Sequence, residues 1–320
     1  MDLFLPILLF AVGVVLVIKG GDFFVDAASW IAERSGIPKI IIGATIVSLA
    51  TTMPELLVSV MAAAQGKVDM SIGNAVGSVT ANIGLIMGLA IVCMPGAIRR
   101  SDYLLKSILM IAAAALVAAC GFAGAVSLQI SVMLLLVFAV FMWENIHAVR
   151  RNAAEKKPGG EEKTPASQNV LIANIVKFIV GALGIVIGSQ LLVDNGSTLA
   201  RVVGIPERVI GLTLIAVGTS LPELITAITA IVKKESALSV GNILGANIID
   251  LTLIMPLSSI IAGQALPVSP LLARIDLPVC LLIGLIAVVP TLIRSKFSRW
   301  QGALLLCAYA GYVVFTCTAA

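Results

Sequence analysis

The residues able to do chemistry in this chain come in two matching strings. TTMPELL runs from Thr51 to Leu57 and TSLPELI from Thr219 to Ile225, each inside a long apolar run. Proline has no N–H to give the carbonyl one turn back and clashes with it. Pro54 and Pro222 are therefore helix-breaking, and they free carbonyls near Ala50 and Thr51 and near Gly218 and Thr219. The hydroxyls of Thr51, Thr52, Thr219 and Ser220 lie about one helical turn from Glu55 or Glu223. Carboxylate, hydroxyl and freed carbonyl are all hard oxygen donors, and together they suit hard cations such as Ca²⁺ or alkali ions. A carboxylate inside a membrane costs at least ~3 kcal/mol on insertion scales, so two at matching positions need compensation. A basic partner or protonation would supply it. No Lys or Arg falls in a span interior, which favours an ion path.

A polar segment follows each string. In the first copy Asn74, Ser78 and Asn82 recur at four-residue spacing along one helix face; in the second the polar residues are Asn242, Asn247 and Asp250. Asn82 and Asp250 occupy equivalent positions and read as ion contacts. Asn74 and Asn242 suit ion contact and interhelical hydrogen bonding equally. The pairs Gly73/Gly77 and Gly241/Gly245 have the G-x-x-x-G spacing of closely packed helices. No soft donor is paired, since Met53 has Leu221 as its counterpart. Two carboxylates carry a charge near −2, which one Ca²⁺ balances and so do two or more Na⁺. Filling by one kind of ion excludes the other, which in an alternating-access frame is antiport. Two close carboxylates in a poor solvent also take up a proton when the site is vacated, so protons compete.

The elements that position these groups are membrane spans. The 320 residues are 59% hydrophobic and 12% charged, with mean hydropathy +1.09. A soluble domain carries about twice that charged fraction. Apolar runs centre near Ala11, Ala50, Leu85, Ala114, Leu136, Val180, Leu214, Ile254, Leu282 and Leu306, about ten in all. The first run, MDLFLPILLF, has no basic leader or cleavage site and reads as a span. The five cysteines sit in or beside apolar runs without C-x-x-C, and the one histidine, His147, borders a basic loop. The net charge of +4 sits in loops between spans and is no nucleic-acid signal.

GIPKIIIGATIVSLATTMPELL from Gly36 and GIPERVIGLTLIAVGTSLPELI from Gly204 align at an offset of 168 residues. The same offset aligns SIGNAVGS from Ser71 with SVGNILGA from Ser239. Each unit holds an odd number of spans, so the second copy enters the membrane upside down. That is the inverted-repeat plan of secondary transporters, with a ligand site at the midplane where the copies meet. The fold expectation is an all-α integral membrane protein of about ten transmembrane helices in two inverted five-helix repeats. Residues 1–148 form the first repeat (motif 43–88), 149–168 a polar linker and 169–320 the second repeat (motif 211–256). With the N-terminus outside, only Lys67, Arg201, Arg208 and Arg274 among the basic residues lie outside. The bias places both termini outside and the linker in the cytoplasm of a multi-pass inner-membrane protein.

These strings resemble the cation/calcium exchanger superfamily, whose two repeats carry G-T-S-x-P-E and G-N-x-x-G-S-N, and within it the prokaryotic sodium/calcium exchanger branch. The resemblance covers nearly the whole chain. It implies that Glu55 and Glu223 are central Ca²⁺ ligands shared with flanking Na⁺ sites. Carbonyls of Thr51 and Thr219 would join the Ca²⁺ site, and Ser48 and Ala216 would lend backbone carbonyls. Thr52, Ser78 and Ser220 would lend hydroxyls to Na⁺, with Asn82 and Asp250 lining the cavity. Asn247 keeps the last Asn of the motif, where the first copy has Val79. Other departures are Ala50-Thr51-Thr52 for G-T-S, Ala246 opposite Ser78, and Ser48 where a small apolar residue is usual. The function expected is a Ca²⁺/Na⁺ antiporter and not an enzyme. It needs no cofactor, nucleic acid or obligatory protein partner, only the lipid bilayer, with H⁺ and K⁺ as further candidate ions. The alternatives are a Ca²⁺/H⁺ antiporter on the same fold, an intramembrane acid-dyad hydrolase and a passive cation channel.

Overall fold

The computed structural model describes residues 3–155, 168–204 and 218–319. The chain is helical because a backbone in hydrocarbon must satisfy its own polar groups. The helices are α1 (Phe4–Ser35), α2 (Lys39–Ile42), α3 (Ser48–Thr51), α4 (Met53–Ala64), α5 (Val68–Ala81), α6 (Gly88–Cys93), α7 (Arg100–Ala123) and α8 (Leu128–Glu155). They continue as α9 (Gln168–Val202), α10 (Leu221–Val232), α11 (Ser236–Ile249), α12 (Met255–Ala262), α13 (Leu277–Arg294) and α14 (Arg299–Ala319). Wider π-helical turns join α2 to α3 (Gly43–Val47), α5 to α6 (Asn82–Met87) and α11 to α12 (Asp250–Ile254), and another precedes α13 (Leu272–Asp276). Among the described residues 7 helices are long and apolar enough to cross a membrane, or 8 with the bent pair Lys39–Thr51 and Met53–Ala64. Every expected span centre lies on a helix except Leu214, which falls outside the described residues, as do Ala216 and linker residues 156–167.

The repeat is visible bond for bond. Both α4 and α10, and both α5 and α11, have identical bounds at the offset of 168. Leu56 N donates to Thr52 O and Leu224 N to Ser220 O, each at 3.0 Å. The turns out of α4 and α10 close through Lys67 N to Ala62 O (2.8 Å) and Glu235 N to Ala230 O (2.7 Å). Each turn needs one left-handed residue. The first copy places Gly66 there (φ 74) and the second Lys234 (φ 60), a conformation that strains a side chain. Pro54 and Pro222 sit in the first turns of α4 and α10, where no intrahelical N–H is required. The break at Thr52 turns the chain by 47°.

The chain forms two compact units, each drawn from both halves: Met1–Thr51 with Met142–Asn242, and Thr52–Phe141 with Ile243–Ala320. In the first unit α1 packs along α9 backbone to backbone. A Cβ on Gly20 would lie 2.9 Å from the Gly181 carbonyl oxygen, so only glycine allows that approach. Lys233 pairs with Asp26 (2.7 Å) and Asp22 (3.3 Å) on α1. Burial pulls the Lys233 ammonium down, but the bonds to the two aspartates outweigh it and hold it above its ordinary pKa. Lys39 joins Glu33 (2.9 Å) and Glu235 (2.6 Å).

In the second unit two short antiparallel ladders tie loops together, Gly96–Ala97 with Lys296–Phe297 and Ala125–Val126 with Leu266–Pro267. Pro290, inside α13, gives nothing to the Ile286 carbonyl; Gln301 of α14 serves it instead, Nε2 donating at 3.0 Å. One sequence reading needs correction. Lys106, counted with the basic residues of the loops between spans, lies in the second turn of α7 and is only 4% exposed. Of the paired glycines, Gly241 presses on the Ile40 backbone, while Gly73 and Gly77 meet no atom of the described residues within 4 Å.

Candidate functional site

The local sequence puts each glutamate on the first turn of a restarted helix. A helix N-terminus carries partial positive charge, which favours a carboxylate there. Glu55 is the third residue of α4 and Glu223 the third of α10, and both are fully buried at 0% exposure. The chain before each break brings hydroxyls. Ser48, Thr51, Thr52 and Ser220 are all buried, and Thr219 is half-buried.

Of the site residues expected from the sequence, Ser48, Thr51, Thr219, Ser220 and Glu223 lie in the first unit. Thr51 donates through Oγ1 to Asn242 Oδ1 at 3.3 Å, which fastens α3 to α11. Thr52, Glu55, Ser78, Asn82, Asn247 and Asp250, also expected from the sequence, lie in the second unit. Asn74 Nδ2 donates to Ser59 Oγ at 2.9 Å and to the Glu55 carbonyl at 3.2 Å. Asn74 thus makes the interhelical tie through its Nδ2. Asn247 Nδ2 rests 3.7 Å from Met110 Sδ.

Several buried polar atoms have no hydrogen-bond partner among the described residues: Ser78 Oγ, both amide atoms of Asn82, Ser220 Oγ and Asn247 Oδ1. Each such atom costs about 1–3 kcal/mol unless water or an ion engages it. The donor set is oxygen-rich. No three His, Cys, Asp or Glu side chains gather among the described residues. Asn82 and Asp250 each open a π-helical turn, a distortion common at functional sites because it leaves the backbone under-bonded.

The sequence reading missed three hydroxyls. Ser59 sits four residues after Glu55, Thr226 three after Glu223, and Ser239 three before Asn242, so helical spacing alone places each on a functional face. The π-turns left no sequence signal.

A multi-span bundle built as an inverted repeat, with buried acids at the broken helices, defines a secondary transporter of cations. Its relatives narrow that class. The family description Sodium/calcium exchanger protein matches residues 5–146 and 173–318, and the chain belongs to that family. It is 33% identical over 316 residues to the inner membrane protein YrbG of Escherichia coli, covering 96% of this chain and 94% of YrbG. It is 29% identical over 346 residues to the sodium/calcium exchanger MaX1 of Methanosarcina acetivorans, covering 96% and 97%. A solved structure of the sodium-calcium exchanger NCX_Mj superposes with TM-score 0.81 at 29% identity, covering 98% of this chain and 99% of that one.

Proposed function

We propose that the chain exchanges Na⁺ for Ca²⁺ across a membrane by alternating access. The observation that supports this most directly is the pair of fully buried glutamates on restarted helices at equivalent positions. Glu55 and Glu223 ligate the transported ions. Carbonyls of Thr51, Thr219, Ser48 and Ala216 and hydroxyls of Thr52, Ser78 and Ser220 complete the cages, and Asn82, Asn247 and Asp250 line them. Residues 1–148 and 169–320 act as the two inverted repeats. Both termini face outside and the 149–168 linker is cytoplasmic, since that orientation puts most Lys and Arg inside.

Coupling follows from charge. Buried carboxylates without counter-ions cost several kcal/mol each, so the vacated carrier does not reorient while they remain ionised. One Ca²⁺ or two or more Na⁺ remove that cost, and each set displaces the other. Protons compete for the same oxygens, and K⁺ is a further candidate for the Na⁺ positions.

The test is radiolabelled Ca²⁺ flux into proteoliposomes with Na⁺, K⁺ or H⁺ gradients imposed one at a time at controlled pH. A Na⁺ gradient at fixed pH should drive saturable Ca²⁺ uptake. Uptake driven only by a proton gradient would replace Na⁺ as the coupling ion.

A further inference from the structure

The hairpin α10–α11 carries polar groups that ligation at Glu223 does not use. Thr226, on α10, is 0% exposed, and its Oγ1 has no hydrogen-bond partner among the described residues. Asn242 of α11 is likewise 0% exposed; its Oδ1 accepts from Thr51, and its Nδ2 has no partner among the described residues. Ser239, about one turn before Asn242 in α11, is 1% exposed, and its Oγ has no partner among the described residues. Three separate atoms, each at the cost of a lost hydrogen bond, are kept on one hairpin.

Their order has a direction. Lys233–Glu235 joins the two helices in three residues, so they run antiparallel as neighbours. Thr226 lies three residues from Glu223 toward that turn, about 4.5 Å along the axis. Ser239 lies three residues from Asn242 toward the same turn. The set thus forms a short ladder from the depth of Glu223 toward the side of Lys233 and Lys234.

The other hairpin shows what the ladder is not. At the equivalent place Asn74 Nδ2 is taken by Ser59 Oγ and the Glu55 carbonyl. In the second copy Ala227 stands where the first has Ser59, and Thr226 stands where it has Val58. The hydroxyl has moved by one residue, and the amide has lost its protein acceptor. An amide N–H₂ is a donor only, so it holds an oxygen and not a bare cation. Two hydroxyls beside it can accept or donate. Water fits all three, since a buried water usually satisfies about three such groups.

We propose that Thr226, Asn242 and Ser239 hold ordered water on the path between Glu223 and the Lys233 side of the membrane, and that cations reach Glu223 from that side through this water. The inference rests on the exchanger reading above and adds the route to one face. In the orientation proposed, that face is cytoplasmic. A cation arriving there sheds its hydration shell stepwise, and the ladder supplies the intermediate step.

The test is sided. Wild-type protein in oriented proteoliposomes is first shown to exchange Na⁺ for Ca²⁺; its failure to do so would remove the exchanger reading itself. Thr226→Val, which installs the residue of the other copy, should then raise KM for Ca²⁺ at the Lys233 face about fivefold, with KM at the opposite face unchanged. Ser239→Ala should do the same to a smaller extent, and Thr226→Ser should restore wild-type values. Equal changes at both faces, or none, in a protein that still exchanges would overturn the proposal. A second measurement covers loss of folding in the valine variant. Thr226→Cys, with Cys93, Cys120, Cys280, Cys307 and Cys317 replaced, should react with a small cationic thiosulfonate from the Lys233 face. Reaction from the opposite face alone, or no reaction in an active protein, counts against the path.

Discussion

Two hairpins of one molecule carry nearly the same residues and use them differently. In α4–α5 the amide of Asn74 is spent inside the protein, on Ser59 and the Glu55 carbonyl. In α10–α11 the equivalent amide of Asn242 has a hydroxyl neighbour on one side only, through Thr51, and a free N–H₂ among the described residues. What the copies share is the charge and the break: Glu55 with Glu223, Pro54 with Pro222. The lesson is that duplication preserves the groups proposed to bind the ion and lets the groups around them diverge, so the two faces of the carrier need not be chemically alike.

The strongest way to probe what is shared is to neutralise it. Glu223→Gln and Glu55→Gln each keep shape and oxygen but remove a charge that the proposed Ca²⁺ site requires. Both should abolish Ca²⁺ uptake in proteoliposomes, a loss beyond a hundredfold, as one unit of balancing charge is removed from a buried cage. Transport surviving in either variant would show that the copies are not equivalent even in their acids.

A glycine of the second hairpin offers a test of packing. Gly241→Ala forces a Cβ onto the Ile40 carbonyl, where backbone must shift, and should cost about 1–3 kcal/mol of stability. Thermal unfolding in detergent should therefore move down. An unchanged transition would mean that the close approach of Gly241 to Ile40 is not what holds the two helices together.

This contrast also marks what the sequence could reveal. The glutamates, prolines and ungapped register were legible because charge and proline are costly in a span and leave few explanations. The fate of each glycine was not, because G-x-x-x-G states only that a close approach is allowed. Asn74 was ambiguous for the same reason: an amide's partner depends on which helix lies opposite. Pro54 was read as breaking a continuous helix, and the structure instead starts a new helix one residue before it. Pro290 shows the other outcome. Its freed carbonyl is taken by Gln301, ten residues and one helix away from Thr291, a pairing no local pattern announces. Among the described residues no side chain does that service at Ala50 or Gly218, the carbonyls that Pro54 and Pro222 leave.

A smaller effect separates structural from functional amides. Ser59→Ala removes the acceptor of Asn74 and should lower stability by about 1–2 kcal/mol. Because that network lies within the protein, KM for Ca²⁺ should move equally at both faces or not at all. A one-sided change would erase the distinction drawn between the hairpins, since Ser59 would then act as Thr226 is proposed to act.

The smallest change concerns the one hydroxyl position at which the copies differ only by a methyl group. Thr52 is 1% exposed and precedes α4 as Ser220, also 1% exposed, precedes α10. Thr52→Ser makes the two copies alike there. It keeps the oxygen and removes one buried methyl, which costs on the order of 1 kcal/mol in packing. The same methyl crowds the oxygen that would face Na⁺. Ca²⁺ transport should stay within about twofold, because the carboxylates carry the divalent ion, while the Na⁺ concentration for half-maximal exchange should fall. A rise instead would mean that the threonine methyl holds its hydroxyl in the useful rotamer, as branching at Cβ restricts χ1, and that this divergence between copies was shaped by Na⁺ binding and not merely tolerated.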